Sequence, residues 1–422
     1  MERQTAQELL EFIRKSPSCF HAIKNMKDIL SEEGFTELKE KDKWEISRGG
    51  KYFTTRNDSA IVAFTIPEQD FCGYRIMASH GDSPSFKIKE NPEMEAEKKY
   101  IKLNVEGYGG MLCAPWFDRP LSVAGRIVVK EKGQFVTKLV NVDKDLLMIP
   151  NLAIHMNRNV NEGYSYNAQK DMLPLLGSMA AKDTFMKVIA ENAGVKEEDI
   201  LGHDLFLYNR VKGCIWGAED EFISSPQLDD LQCAFASLKG FLKGKKKEYM
   251  AVHCVLDNEE VGSGTKQGAA STFLYDTLTR VNEALGLTGE AYLRNLAESF
   301  MLSADNAHAV HPNHGDKADP VNRPFMNEGI VIKYSANQKY CTDAVSTAMF
   351  KDLCKKADVP YQIFTNRSDM AGGSTLGNIS NTHVALNSVD IGLPQLAMHS
   401  PYETAGIKDT WYLVQVAGEF FE

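Results

Sequence analysis

The sequence predicts an α/β protein of two domains, a buried sheet flanked by helices and interrupted by a β-rich insert. Three observations carry this. The chain has 422 residues, more than one compact core usually absorbs. Apolar runs such as Ala251–Leu256 stop abruptly at polar residues and alternate with helix-period patterns, as buried strands of an α/β sheet do. From about Tyr100 to Trp216 the pattern becomes short Val- and Ile-rich runs separated by glycine-containing turns, the pattern of a β-rich unit. The expected division is therefore 1–95 and 221–422 for the α/β unit and 96–220 for the insert.

Composition narrows the class. With 43% hydrophobic and 25% charged residues the chain reads as an ordinary globular protein. A net charge of −10 argues against a nucleic-acid surface. No run of about 18 apolar residues is present, so no membrane span is expected. The start, MERQTAQELLEFIRKS, is an amphipathic helix pattern rather than a signal peptide. Eight cysteines lack any CxxC pair and fall mostly in apolar runs (Cys214, Cys233, Cys254), which predicts reduced core residues and a cytoplasmic protein.

In chain order, residues 5–31 read as two helices, capped by Thr5 and Ser18 and closed by Gly34. Strands are expected at 51–54, 60–64 and 74–79, the last leading into His80-Gly81-Asp82. In the insert, strands are expected at 101–105, 121–129, 135–142 and 204–208, with a helix over 183–193. The α/β pattern resumes near Ile223. Ser224-Ser225-Pro226-Gln227-Leu228-Asp229-Asp230 opens a helix whose apolar face runs Leu228, Leu231, Ala234, Phe235, Leu238 and Leu242. Asp229 and Asp230 occupy its first turn, where the helix dipole favours anions, so capping alone accounts for one of them. The run Ala251–Leu256 ends in Asp257-Asn258-Glu259-Glu260, and Phe300–Ala304 ends in Asp305. Further strands are expected at 329–334 and 362–365, and the run 391–398 terminates at His399.

His80, Asp229, Glu260, Asp305 and His399 thus each stand at the end of an apolar run or in the loop it leads to. Adjacent buried glutamates are costly unless something positive holds them. Two histidines and three carboxylates suit two divalent ions of the zinc, cobalt or manganese type. Asp82, two residues past His80, can orient its ring. Glu259 is left beside a ligand as the general base for an activated water, the layout of metal-assisted hydrolysis.

The segments SHGDSPSF, SPQLDDL, LDNEEVGSGT, SADNAHAVHPN and PQLAMHS resemble, in order, the motif set of the M18 metallopeptidases, the aspartyl aminopeptidase family. The likeness runs from Leu9 to Phe421. It implies an exopeptidase with two zinc ions per chain and a phosphorylase/hydrolase-like catalytic domain, a mixed sheet flanked by helices. It also implies that the β-rich insert serves dimerisation within a homo-dodecamer. Carried over, Asp229 bridges the ions, His80 and Asp305 complete one site, and Glu260 and His399 complete the other. Asp82 then orients His80, and Glu259 is the base. Where the family often has Leu-Asp-Asn this chain has Leu-Asp-Asp, so Asp230 stands beside the bridging position. The resemblance puts Lys333 and Tyr340 at a pocket for an acidic side chain, lined also by Met398 and Gly373. It leaves His155, or else Asn151, to reach a neighbouring subunit's site. His308, His311 and His314 read as loop and outer residues.

The expected activity is removal of N-terminal residues, acidic ones by preference, from peptides. The rivals are a related carboxypeptidase or amide deacylase, which would act on N-acylated amino acids, and a silent scaffold, which would lack a central residue. None of the six is missing.

Overall fold

The computed structural model describes residues 1–244 and 248–422. Its centre is a nine-stranded mixed sheet. In spatial order the strands are Thr36–Glu37, Lys51–Arg56, Ala60–Thr65, Met250–Leu256, Tyr74–His80, Phe300–Ala304, Asn387–Gly392, Ile330–Tyr334 and Tyr361–Thr365. The four central strands from Met250–Leu256 to Asn387–Gly392 run parallel, and antiparallel neighbours join on either side.

Both faces of the sheet are covered, which is why its strands are nearly all apolar. Alternation along Met250–Leu256 shows the division. Ala251 and Val255 pack with the helices Glu2–Arg14, Cys19–Glu32, Leu228–Lys243 and Asp409–Phe420. Val252, Cys254 and Leu256 pack with Phe273–Ala284 and Gly289–Ala297.

The insert is a six-stranded antiparallel sheet in the order Gln134–Asn141, Leu121–Glu131, Ile200–Asn209, Ser85–Ala96, Tyr100–Tyr108 and Leu175–Ser178. It has its own core around Phe86, Leu103, Trp116, Val123, Ile127 and Leu205, closed by the helix Phe185–Ala193. Its first strand follows within five residues of His80, so the sheet begins ahead of residue 96. A third, five-stranded sheet (Cys214–Trp216, Phe222–Ser225, Glu403–Gly406, Pro394–Leu396, Ala307–His308) carries the approach to His399.

Local expectations fail at a few points. The first helix starts at Glu2 with Met1 as its N-cap, so Thr5 lies inside it, buried, with its N–H donated to the Met1 carbonyl. Ser18 is the N-cap of the second helix, but its hydroxyl pairs with His21 Nδ1 at 2.8 Å instead of a backbone N–H. All eight cysteines are free, and Cys233 and Cys254 are buried, whereas Cys214 is exposed at the edge of the third sheet. Among the described residues no helix is long and apolar enough to cross a membrane.

Candidate metal centre

Three adjacent parallel strands bring their carboxyl ends together. Leu256 pairs with His80, and Ser303 pairs with Ala78 on the other side of the same strand. Neighbouring strands lie about 4.8 Å apart. The residues that end or follow them, His80, Glu260 and Asp305, therefore converge without any long loop. This is the position where open α/β sheets bind ligands.

Asp229 enters from the side. Gln227 takes a left-handed backbone conformation, Asp229 itself is extended, and a cis peptide joins it to Asp230 before the helix settles. The side chain is buried, with its two oxygens facing different histidines. Oδ1 lies 3.5 Å from His80 Nε2, and Oδ2 lies 3.6 Å from His399 Nε2. His399 comes from the loop after Pro394–Leu396, also with a left-handed backbone (φ 67°). On one side Asp305 Oδ1 is 3.9 Å from His80 Nε2; on the other, Glu260 Oε2 is 3.3 Å from His399 Nε2.

These four separations are mostly too long for hydrogen bonds. They match the edge of a coordination tetrahedron: ligand bonds of about 2.0–2.2 Å put neighbouring donor atoms roughly 3.4 Å apart. Asp229 Oδ1 and Glu260 Oε1 are buried and have no hydrogen-bond partner, a costly condition that a cation relieves. Donor atoms of His80, Asp229 and Glu260 lie within 4.8 Å of one another, as do those of Asp229, Asp230 and Asp305. Asp230 Oδ2 accepts the backbone N–H of His80 at 3.0 Å, while its Oδ1 is buried without a hydrogen-bond partner. The nitrogen and oxygen donors fit zinc.

The electrostatics describe the same need. Burial works against ionisation of Asp229, but the His399 and His80 rings facing its two oxygens outweigh it and hold the carboxyl below its ordinary range. Burial, then the Asp229 charge, pushes Glu260 well above its usual value. Burial alone would depress His80; the Asp229, Asp305 and Asp82 carboxylates around its ring raise it instead. Glu259 is pushed up to about 8, chiefly by burial, with the Asp305, Asp82 and Asp229 charges adding to it. A cation among these carboxylates reverses their contribution.

Asp82 sits behind the histidine. His80 Nδ1 faces the Asp82 backbone carbonyl at 3.1 Å and Oδ1 at 3.4 Å, which leaves Nε2 pointing at Asp229. Asp82 also accepts the backbone N–H groups of Glu259 and Glu260, each at 3.2 Å. Those two glutamates lie in a single turn of 3₁₀ helix, Glu259–Val261, entered through Asn258 with a left-handed backbone, not on an extended strand end.

Lys333 is 3% exposed. Its ammonium donates to the Asn306 carbonyl at 2.8 Å, lies 3.7 Å from Asp305 Oδ2 and sits 5.5 Å from the centre of the Tyr340 ring. Burial disfavours its charge, but Asp305 and its other neighbours more than restore it. Tyr340 is buried with Val331 and Phe364. Met398 directly precedes His399, and Gly373 is exposed in the loop between Tyr361–Thr365 and the helix Leu376–Ser380. His155 is exposed on a short turn of the insert, Ile154–Met156. Asn151, also exposed, is tied to Asp118 through its backbone N–H (2.9 Å) and side-chain amide (2.7 Å). His308 packs edge-on to Phe364, and His311 and His314 pair with each other on an exposed loop.

Two residues here had no signal in the sequence. Glu403 is buried, and its carboxylate accepts the backbone N–H groups of both Asp229 and His399. Tyr108, the last residue of an insert strand, donates its hydroxyl to Asp82 Oδ2 at 2.6 Å.

A buried cluster of histidines and carboxylates at the strand ends of a mixed α/β sheet defines a metal-dependent hydrolase. The chain belongs to the M18 family: the model of the aminopeptidase I zinc metalloproteases (M18) matches residues 12–421. It is 50% identical over 428 residues to the probable M18 family aminopeptidase 2 of Clostridium acetobutylicum, covering 100% of this chain and 99% of the relative. Ape4, solved by cryo-electron microscopy in complex with Nbr1, superposes with a TM-score of 0.96 at 34% identity, covering 100% of this chain and 86% of that one. The mApe1 dodecamer of Saccharomyces cerevisiae superposes with a TM-score of 0.87 at 28% identity, covering 99% and 96%. The protein is accordingly a metallo-aminopeptidase of the zinc-dependent M18 type.

Proposed function

We propose that the protein is a dinuclear zinc aminopeptidase that removes acidic N-terminal residues from peptides. One observation carries the two-ion reading: the oxygens of Asp229 face two different histidines, each with a second carboxylate beside it. His80, Asp305 and Asp229 would hold one ion, and His399, Glu260 and Asp229 the other; cobalt or manganese would fit the same donors. Zinc supplies Lewis acidity, which polarises the scissile carbonyl and eases loss of a proton from water. Glu259, the glutamate not used as a ligand, takes that proton and returns it to the leaving amine. Asp82 fixes the tautomer and direction of His80.

The acidic preference rests on Lys333 and Tyr340. Lys333 is a buried ammonium held against a carbonyl and a carboxylate, with hydrogen-bonding capacity left for an incoming carboxylate. Met398 and Gly373 are assigned to the same pocket. By analogy with the mApe1 dodecamer, we propose a homo-dodecamer built from dimers, with His155 or Asn151 presented to a neighbouring subunit. Free cysteines fit a cytoplasmic setting.

The test is release of N-terminal Asp, Glu, Leu and Ala from matched peptides, with zinc counted per chain and particle mass measured by light scattering. About two ions, faster release of Asp and Glu, and a mass near twelve chains are expected. Faster release of Leu than Asp ends the acidic assignment, and one ion in a fully active enzyme ends the dinuclear one.

A further inference from the structure

The insert does more than stand beside the catalytic domain. Its segment Tyr108–Leu112 touches both halves of the centre. The Leu112 N–H donates to the His399 carbonyl at 3.1 Å. Gly109, with φ 74°, packs so closely on the turn carrying the glutamates that a Cβ there would lie 3.1 Å from Glu260 Cβ. Tyr108 makes the most specific contact. Its hydroxyl donates to Asp82 Oδ2 at 2.6 Å and accepts from Asn258 Nδ2 at 2.8 Å.

Packing alone does not require that hydroxyl. The ring meets Phe206 edge-on at 5.5 Å, a contact phenylalanine makes equally well. The polar atom is placed instead at the junction of two site elements. Asp82 backs the His80 ring and receives the N–H groups of Glu259 and Glu260. Asn258 leads directly into the turn bearing those two glutamates, and its own side-chain oxygen is held by Thr265 and Gln267 at 2.8 Å each. The phenol therefore ties the carboxylate that orients His80 to the residue that positions Glu259. A cavity of about 430 Å³, bordered by Tyr108, Asp82, Asp257, Asn258 and Gln267, lies against this junction. Without the phenol donor, Asp82 Oδ2 would keep the Glu260 N–H at 3.2 Å but lose its shorter contact, the 2.6 Å bond from Tyr108.

We propose that Tyr108 is a positioning residue of the catalytic centre, acting on His80 through Asp82, so that the insert completes the metal site of its own chain. This rests on His80 being a ligand oriented by Asp82. Partners that orient ligands from behind typically change metal affinity or activity by about 10–100-fold when removed.

The experiment compares the full-length wild type, Tyr108→Phe, Asp82→Asn and the double variant. Zinc is counted, its release to a chromophoric chelator is timed, and particle mass and kcat are recorded. Tyr108→Phe should keep the mass and melting curve, release one of its ions about ten times faster and lose kcat in parallel. In the Asp82→Asn background the same change should add nothing, because both act along one path. A Tyr108→Phe release trace that overlays the wild type overturns the proposal, as does full additivity with Asp82→Asn. A wild type that holds fewer than two zinc ions overturns the two-ion centre and the proposal with it. Should Tyr108→Phe fail to fold, Asn258→Gly keeps the left-handed backbone but removes the amide donor to the phenol, leaving it tied to Asp82 alone. Faster zinc release then supports the path, and unchanged release refutes it.

Discussion

The Oε1 oxygen of Glu403 accepts the backbone N–H of His399 at 2.7 Å, while its Oε2 accepts that of Asp229 at 2.9 Å. One carboxylate thus fixes the separation of two residues whose side chains face each other across the centre. Burial pushes Glu403 well above the ordinary carboxylate range, with the Asp229 charge adding to it, and the backbone donors only partly offset this. Glu403→Gln replaces one acceptor by an N–H₂ that points at an N–H. The expected result is zinc affinity and kcat lowered by about 10–100-fold with a folded particle. Chelator competition, kcat and light scattering on one preparation check it; unchanged zinc affinity refutes it.

Glu259 and Glu260 share a turn but face different partners, so their glutamine variants should separate. Glu259→Gln keeps shape and hydrogen bonding but removes proton acceptance. Zinc content should hold while kcat falls by roughly 10²–10⁴-fold. Glu260→Gln should lose one ion and recover part of its activity at high zinc. Elemental analysis beside kcat distinguishes them, and the reverse pattern would mean that the two roles are exchanged.

Lys333 offers a test of specificity. Lys333→Met removes a charge that a substrate carboxylate would use, and a hydrogen bond to a charged group contributes about 1.5–3 kcal/mol. The ratio of kcat/KM for N-terminal Asp over Leu should therefore fall by roughly 10–100-fold. Because Lys333 lies 3.7 Å from Asp305, activity on Leu should change as well, but less. An unaltered Asp-to-Leu ratio would remove Lys333 from the pocket.

Away from the centre, Asp409 makes stability depend on pH. It is fully buried at the start of the last helix, and burial pushes it up to about 7 against donated N–H groups, including that of Asn327. The unfolded chain titrates this group near its ordinary value of 3.8. Between those values the folded protein binds the extra proton, so the contribution is complete below pH 4 and is lost as pH rises through 7. Oδ1 of Asp409 has no partner, leaving a place for an amide. Relative to Asp409→Asn, the wild type should lose on the order of 2 kcal/mol between pH 5 and 8. Urea midpoints at the two pH values check the sign.

Much of this molecule is written locally in the chain. The buried strands read as apolar runs because helices cover both faces of the sheet, and His80, Asp305 and the Glu259-Glu260 pair stand at the run ends. A polar residue that terminates an apolar run is a feature of adjacent residues, so no knowledge of the fold is needed to see it. The M18 family was legible for the same reason, since its motifs are these run ends in a fixed order.

What the tertiary structure decided is everything made by backbone groups or by residues far apart in sequence. Glu403 acts on the N–H of Asp229, 174 residues away, and an N–H carries no mark of residue type. Tyr108 meets Asp82 only because the insert folds back against the sheet that it interrupts. Asp229 and Asp230 look equivalent in the sequence; the turn into the helix gives one to the histidine side chains and the other to the His80 backbone. Thr5 was expected as a cap and is instead inside a helix, because helix propagation needs only one more backbone bond per residue and runs on to Met1. Local pattern thus determined which residues stand at the strand ends. Only the packing of distant segments determined how far apart they are held, since those separations are set by hydrogen bonds that cross the fold.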